Sequence, residues 1–171
     1  MNRPSLSAPT PLATSHNFDE FSCGEPVLDT WLREQARKNE DRSASRTYVV
    51  CDGMAVVGYY CVAAGGIARN HAPRRMQRNM PDPIPVMVLG RLATHQRYQG
   101  RGIGKAMLFD AILRVLQAAD IVGVRAILVN AISSSAQQFY LRYGFLESPV
   151  EPLTLCLPLE TARQSVAMPS T

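Results

Sequence analysis

Hydrophobic and polar residues alternate along this chain with two different periods, and the switches between them outline its elements. From Pro26 onward, Leu28, Trp31, Leu32 and Gln35/Ala36 recur at the i, i+3, i+4 and i+7/i+8 spacing of an amphipathic helix, which the pattern carries to about Asn39. Pro26 suits a helix start because its missing N–H would be unpaired there in any case. Arg33, Glu34, Arg37, Lys38 and Glu40 fall on the other face, the composition of a solvated side. Thr47–Cys51 is β-branched and aromatic, hence a strand. Asp52-Gly53 is a hairpin turn, and Met54–Ala63 returns as a second strand. Gly65 to Pro85 reads as a long loop containing the turn formers Pro81-Asp82-Pro83, of a length usually functional or mobile.

A buried strand follows from Val86 to about Ala93. Beyond a glycine-rich turn, Ile103, Met107, Ile112, Val115 and Leu116 mark a helix ending near Gly123. Arg125–Val129 is the next strand, Ser133–Tyr143 a helix stopped by Gly144, and Phe145 onward with Leu153–Leu157 the last strands. No repeat and no second domain stand out. The reading is a single α/β (α+β) domain over residues 1–171, with ragged ends at about 1–13 and about 160–171.

Composition agrees with this. The 171 residues are 46% hydrophobic and 19% charged, enough to build a substantial core and unlike a disordered chain. No apolar run approaches the ~18 residues of a membrane-crossing helix, and the Pro/Ser-rich start lacks the apolar core of a signal peptide. A cytoplasmic protein is expected. Cys23, Cys51, Cys61 and Cys156 form no CxxC pair and have no His at ligand spacing, so they read as small buried hydrophobes and no metal is expected. The net charge of +4 is local: Arg69, Arg74, Arg75 and Arg78 carry it with no acid among them, which leaves the rest of the chain neutral. Such a patch suits a polyanion or an acidic protein partner.

The chemistry gathers at Gln99-Gly100-Arg101-Gly102-Ile103-Gly104. Read as strand, turn, helix, this segment lets backbone N–H groups converge at a helix N-terminus, with glycines permitting close approach of a pyrophosphate and Arg101 and Lys105 adding charge. It is not a P-loop: Gln99 stands where the first Gly belongs, and Ala106 where Ser or Thr should hold magnesium. Nor is it a dinucleotide fingerprint, since Lys105 occupies the position of the last Gly or Ala.

Gln-x-x-Gly-x-Gly after Leu92-Ala93-Thr94 resembles the acyl-CoA motif of the GNAT superfamily. Ala136-x-x-Phe139-Tyr140-x-x-x-Gly144-Phe145 is similar to its second signature. A narrower likeness covers most of Phe21 to Phe145. Phe21-x-Cys23-Gly24-x-x-x-Leu28-Asp29-x-Trp31-Leu32, Arg46–Val50, Arg78–Val86 and Gly90-Arg91-Leu92-Ala93 resemble the TacT-like GNAT toxins of type II toxin–antitoxin pairs.

The resemblance implies a GNAT acyltransferase fold, a mixed central sheet flanked by helices. In it the strand ending at Leu92–Thr94 splays from Arg125–Asn130, and pantetheine lies along Leu92, Ala93 and Thr94. The co-substrate implied is acetyl-CoA, held by Leu92–Thr94 and by Gln99, Gly100, Arg101, Gly102, Ile103, Gly104 and Lys105. Many GNAT proteins carry Asn seven residues before the tyrosine; here Ser133 stands there, with a shorter reach. The reaction implied is acetylation of the α-amino group of aminoacyl-tRNA, blocking translation, by an enzyme that is a dimer and is neutralised by a ribbon-helix-helix antitoxin.

Tyr140 is then the expected general acid for the thiolate leaving group, set against a core aromatic whose hydroxyl caps a backbone carbonyl. Tyr143 reads as packing. His95 is a base or, more simply, a surface or phosphate contact; His16 and His71 have no supporting pattern. The Arg69–Arg78 cluster is a tRNA phosphate contact, or else a solvated loop or an antitoxin-facing surface. A GNAT enzyme for a small amine or a protein N-terminus, and a silent binding module, are the competing functions. The Arg cluster argues against the first, the intact turn and Tyr140 against the second.

Overall fold

The computed structural model describes residues 6–167. α1 (Pro26–Glu34) begins on proline and buries Leu28, Trp31 and Leu32 while Val27 faces outward. The single helix expected to about Asn39 is broken at Gln35, and a second helix, α2 (Ala36–Asp41), follows. The apolar stripe ends at the fully buried Ala36. Beyond it Arg37–Asp41 is polar on every side, so no core contact compels one straight axis.

β2 (Arg46–Asp52) and β3 (Ala55–Ile67) form the expected hairpin, with Asp52 opposite Ala55 across a two-residue turn and a bulge between Val50 and Cys51. β3 runs four residues past the expected end at Ala63. Gly65-Gly66 looks like a breaker in sequence, but a Cβ at Gly65 would lie 2.7 Å from a Val88 methyl. The glycines admit close neighbours within a continuing strand. The long loop shrinks accordingly: a 3-10 turn at Arg69–His71 and α3 (Arg74–Gln77) occupy it, and β4 (Ile84–Thr94) begins at its end.

α4 (Ile103–Ala119), β5 (Ala126–Asn130), α5 (Ser134–Arg142), β6 (Leu146–Glu147) and β7 (Thr154–Pro158) follow in the expected order. Both chain ends depart from expectation. Residues 6–13 lie along the sheet edge, where β1 (Thr10–Pro11) pairs with Val49 and Tyr48 and the Ser7 N–H donates to the Cys51 carbonyl at 2.8 Å. The expected frayed tail is instead α6 (Leu159–Ala167), anchored by buried Leu159 and Ala162. Residues 1–5 and 168–171 of the expected ragged ends fall outside the described residues.

Among the described residues the strands make one mixed seven-stranded sheet, in the order β1-β2-β3-β4-β5-β7-β6. β4 pairs parallel to β5, Val86–Leu89 against Ala126–Val129, and β7 runs antiparallel to both β5 and β6. Contacts group into two compact units: the chain up to Ala63 with Gly90–Ala111, and Ala64–Leu89 with the chain from Ile112 on. The first has a core of Phe18, Phe21, Leu32, Ala36, Val49, Tyr59 and their neighbours; the second packs Ile67, Met76, Ile84, Val86, Ala126 and Cys156. β3, β4 and α4 pass through both.

Candidate active site

The glycine turn is built from the last residues of β4 outward. A Cβ placed on Gly104 would stand 3.9 Å from both a Leu92 methyl and the Thr94 hydroxyl oxygen. Leu92 and Thr94 therefore face the first turn of α4. By strand alternation Arg91 and Ala93 face the opposite side, where Ala93 joins the core around Trp31 and Arg91 places its guanidinium 4.4 Å from the indole centroid.

After Thr94 the chain makes a 3-10 turn, Gln96–Tyr98, whose polar groups are engaged in holding it. The His95 N–H donates to the Val57 carbonyl at 2.8 Å, and the Gln96 N–H to the Ser22 carbonyl at 2.9 Å. The Gln99 amide nitrogen donates to the carbonyls of Cys23 and Thr94, each at 3.0 Å. Through its amide nitrogen Gln99, expected to touch the cofactor, ties the turn to Cys23 and Thr94. The Tyr98 hydroxyl donates to Asp52 at 2.6 Å, and that bond raises the phenol's pKa.

His95 is equally committed. Its Nδ1 accepts the Arg97 N–H at 3.1 Å, so the ring proton sits on Nε2, 3.2 Å from the Glu20 carbonyl. Both nitrogens are occupied by the backbone. The ring caps the turn.

Gly100 and Gly102 adopt left-handed conformations, φ +79° and +80°, and no atom lies within 4 Å of where either Cβ would be. Open space stands over both, at the mouth of a 17-residue helix. The first α4 N–H groups have no carbonyl a turn earlier to meet, and the macrodipole adds partial positive charge. Arg101 lies 5.0 Å from the Tyr98 ring centroid and Lys105 5.9 Å from that of Phe109, both exposed. Such a cradle receives a diphosphate.

In the second unit, Ser133 is the N-cap of α5. Its Oγ accepts the Ala136 N–H at 3.1 Å, which gives it a helix-starting role whatever else it touches. Tyr140, one face of the same helix later, is 8% exposed and sits at 5.2 Å from both the Phe139 and Phe145 rings. Burial pushes its phenol well above the ordinary value near 10. Among the described residues no hydrogen bond ties its hydroxyl to a carbonyl, so the capping alternative lacks its bond.

The four arginines divide. Arg69 donates to the Met80 carbonyl at 3.0 Å, and its own N–H is accepted by Asp82. Arg75 stands 3.9 Å from Glu160, which Arg125 grips at 2.7 Å. An acid absent from the sequence window is thus brought to Arg75 by α6, while Asp82 meets only the Arg69 backbone. Arg74 and Arg78 are exposed and make no ion pair among the described residues.

Trp31 and Arg91 are the residues that sequence reasoning passed over as site members. The available signal was an arginine set in an otherwise apolar strand run, Val86–Ala93.

Residues 43–147, more than half of the chain, match the acetyltransferase (GNAT) domain family. The chain is also 46% identical, over 157 residues, to a tRNA-acetylating toxin of Mycobacterium tuberculosis, spanning 92% of this chain and 95% of that one. The chain belongs to the GNAT family, among its tRNA-acetylating toxins. Solved structures of this toxin group superpose closely on it. AtaT complexed with acetyl-methionyl-tRNAfMet matches with a TM-score of 0.86 and 26% identity over 93% of this chain and 98% of its own. A tyrosine-to-phenylalanine mutant of AtaT, bound to the C-terminus of the antitoxin AtaR and to acetyl-CoA, matches with 0.79 and 25% over 95% and 99%. As a GNAT acetyltransferase the chain uses acetyl-CoA, and its mixed sheet with flanking helices is the fold of that family. Among the described residues no cluster of three or more His, Cys, Asp or Glu could hold a metal ion, and no helix is long and apolar enough to cross a membrane.

Proposed function

We propose that this GNAT toxin transfers acetyl from acetyl-CoA to the α-amino group of aminoacyl-tRNA and so blocks translation. The observation that carries the reading is the Gly100–Gly102 turn: two left-handed glycines beneath open space at a helix N-terminus, beside the β4 residues Leu92 and Thr94. Acetyl-CoA supplies an acetyl group already activated as a thioester. Gly100, Arg101, Gly102, Ile103, Gly104 and Lys105 hold its diphosphate, and the backbone of Leu92–Thr94 pairs with the pantetheine amides. Gln99 and Ser133 are the further side chains offered to the cofactor, each also bonded to backbone groups of its own segment. The acceptor for which the Mycobacterium tuberculosis relative is named comes to this chain with 46% identity in support.

An α-amino group titrates near 7.7–8.0, so an appreciable fraction is neutral at physiological pH without a dedicated base. Its nitrogen bonds to the acetyl carbon, the carbon–sulfur bond breaks, and the amine's surplus proton passes to solvent. Tyr140 gives its phenolic proton to the departing sulfur and recovers one from water. Its raised pKa keeps that proton in place over the whole working range.

In the same reading Arg74 and Arg78 contact tRNA phosphates, with Arg69 and Arg75 shaping the surface that presents them. The working enzyme is a cytoplasmic homodimer, and its antitoxin carries a ribbon-helix-helix domain. The deciding experiment incubates purified protein with labelled acetyl-CoA and charged or uncharged tRNA, then identifies the aminoacyl ester by mass spectrometry after nuclease digestion. Acetylated aminoacyl-adenosine, with no product from uncharged tRNA, is the expected result. Label appearing on small amines or protein N-termini but on no charged tRNA would sink the proposal.

A further inference from the structure

The face of β4 opposite the glycine turn carries a second built feature. Pro26, Val27, Thr30, Trp31, Glu34 and Arg91 line an open cleft of about 390 Å3 between α1 and the end of β4, within the range of small-ligand pockets. Trp31 carries two ring partners: Tyr59 stacks at 6.0 Å with the planes 7° apart, and the Arg91 guanidinium lies over the ring at 4.4 Å. Arg91 is half-buried and, among the described residues, has no carboxylate in ion-pair reach; Glu34 stands on the exposed outer wall without pairing to it. The Arg91 side chain hydrogen-bonds the Cys61 thiol, which leaves further N–H donors of its fork for a ligand.

We infer that this cleft receives the 3′-terminal nucleotide of the aminoacyl-tRNA, with Arg91 as the residue that grips it. The inference rests on the aminoacyl-tRNA reading and adds the place where the acceptor end docks. Three observations support that occupant. Arg91 immediately precedes Leu92 on the strand assigned to the acetyl donor, so a nucleotide held there has its ester-linked amino acid beside the same strand end. Strand alternation sends Leu92 and Thr94 toward α4 and Arg91 away from it, so donor diphosphate and acceptor occupy opposite faces. A guanidinium with no ion pair, set on an aromatic ring, also suits a single-stranded nucleotide, because it can stack on the base while remaining N–H groups meet the phosphate.

Two variants test this. Arg91→Met keeps a side chain of similar length over Trp31 and removes the charge. Val27→Asp places a negative charge on the cleft rim, at a position 76% exposed where the core cannot suffer. Both are measured for acetyl-CoA affinity by calorimetry, for kcat and KM with aminoacyl-tRNA, for the salt dependence of tRNA binding, and for antitoxin affinity. Arg91→Met should raise KM for aminoacyl-tRNA about 10- to 100-fold, as expected for a charged hydrogen bond, and flatten the log K against log[salt] slope by about 0.7. Val27→Asp should raise KM about tenfold, with acetyl-CoA affinity unchanged for both. Wild-type KM and slope in both variants would overturn the assignment, and so would wild-type KM joined to weakened antitoxin binding, which would give the cleft to the protein partner. An unmutated enzyme that binds acetyl-CoA but acetylates no charged tRNA would overturn the function itself, and this docking site with it.

Discussion

Gly102 separates two contributions that the turn makes to acetyl-CoA binding, its backbone conformation and its free space. An alanine there meets no atom within 4 Å, so the methyl itself costs nothing by collision. The cost is conformational: holding an L-residue at φ +80° is worth about 1–2 kcal/mol, equivalent to roughly 5- to 30-fold in acetyl-CoA affinity if it falls wholly on the bound turn. Gly102→Asp adds a charge in that open space. Two unit charges ~5 Å apart at an effective dielectric of ~20 repel by about 3 kcal/mol, so the combined loss should exceed roughly 1,000-fold. Gly104 is the internal control. Its Cβ would make ordinary 3.9 Å contacts with Leu92 and Thr94, its φ is not left-handed, and alanine favours a helix by up to about 1 kcal/mol. Gly104→Ala should melt no lower than wild type and bind acetyl-CoA within about threefold. Calorimetry and thermal melting on the three variants make the comparison. Near-normal acetyl-CoA affinity in Gly102→Asp would refute the assignment of the diphosphate to this turn.

Tyr140→Phe removes one oxygen and keeps the ring between Phe139 and Phe145, so it should fold and bind acetyl-CoA while losing about 10²–10⁴-fold in single-turnover transfer to aminoacyl-tRNA; a rate within about threefold of wild type would remove Tyr140 from the mechanism. In the unmutated enzyme kcat/KM should climb to a plateau above about pH 8 as the amine loses its proton, with no fall below about pH 10, because burial raises the Tyr140 pKa and keeps the acid form present; a descending limb near pH 8 would contradict this. Replacing Arg74 and Arg78 by Ala should flatten the salt slope of tRNA binding by about 1.4–1.8 for two lost phosphate contacts and leave thermal stability unchanged. Arg69→Ala should instead lower stability by about 1 kcal/mol, since its guanidinium holds the Met80 carbonyl.

Elements defined by a local period were legible from sequence, and those defined by a neighbour were not. The α1 stripe, the β2–β3 hairpin and the order of β4, α4, β5 and α5 follow from spacings within a dozen residues. The extension of β3 through Gly65-Gly66 depends on Val88, and the strand at Thr10–Pro11 depends on the open edge of β2, neither of which a local window contains. The helix Leu159–Ala167 has a short, mostly polar sequence that only the burial of Leu159 and Ala162 makes definite. At the site, glycine spacing announced the turn because a left-handed backbone leaves a trace in residue type. The bonds of Gln99 and His95 to backbone groups leave none: a glutamine that touches a cofactor and one that holds a turn are spelled alike. The acid that meets Arg75 in the Arg69–Arg78 cluster is Glu160, some 80 residues away, so a charge count over ten residues overstated the free cation there.

The distribution of engaged and unengaged groups constrains how the enzyme can work. Around the turn, His95 has both nitrogens on backbone groups, Asp52 accepts from Tyr98, and Gln99 spans two carbonyls. His95, whose Nδ1 already accepts a backbone N–H, would have to give up that bond to take a proton. A lysine side chain, with a pKa near 10.4, would reach such an enzyme almost wholly protonated, whereas an α-amine near 7.7–8.0 arrives partly ready to react. That gap of about 2.5 units makes the neutral form a few hundred-fold scarcer for the lysine, a discrimination obtained with no contact to the side chain at all. Beside the proton that Tyr140 supplies, rate must then come from holding the amine and thioester in reacting geometry, an effect that reaches 10⁵ M and beyond in effective concentration. A site of that kind needs rigid support more than titrating groups, which is the use this chain makes of its histidine and its glutamine at the turn.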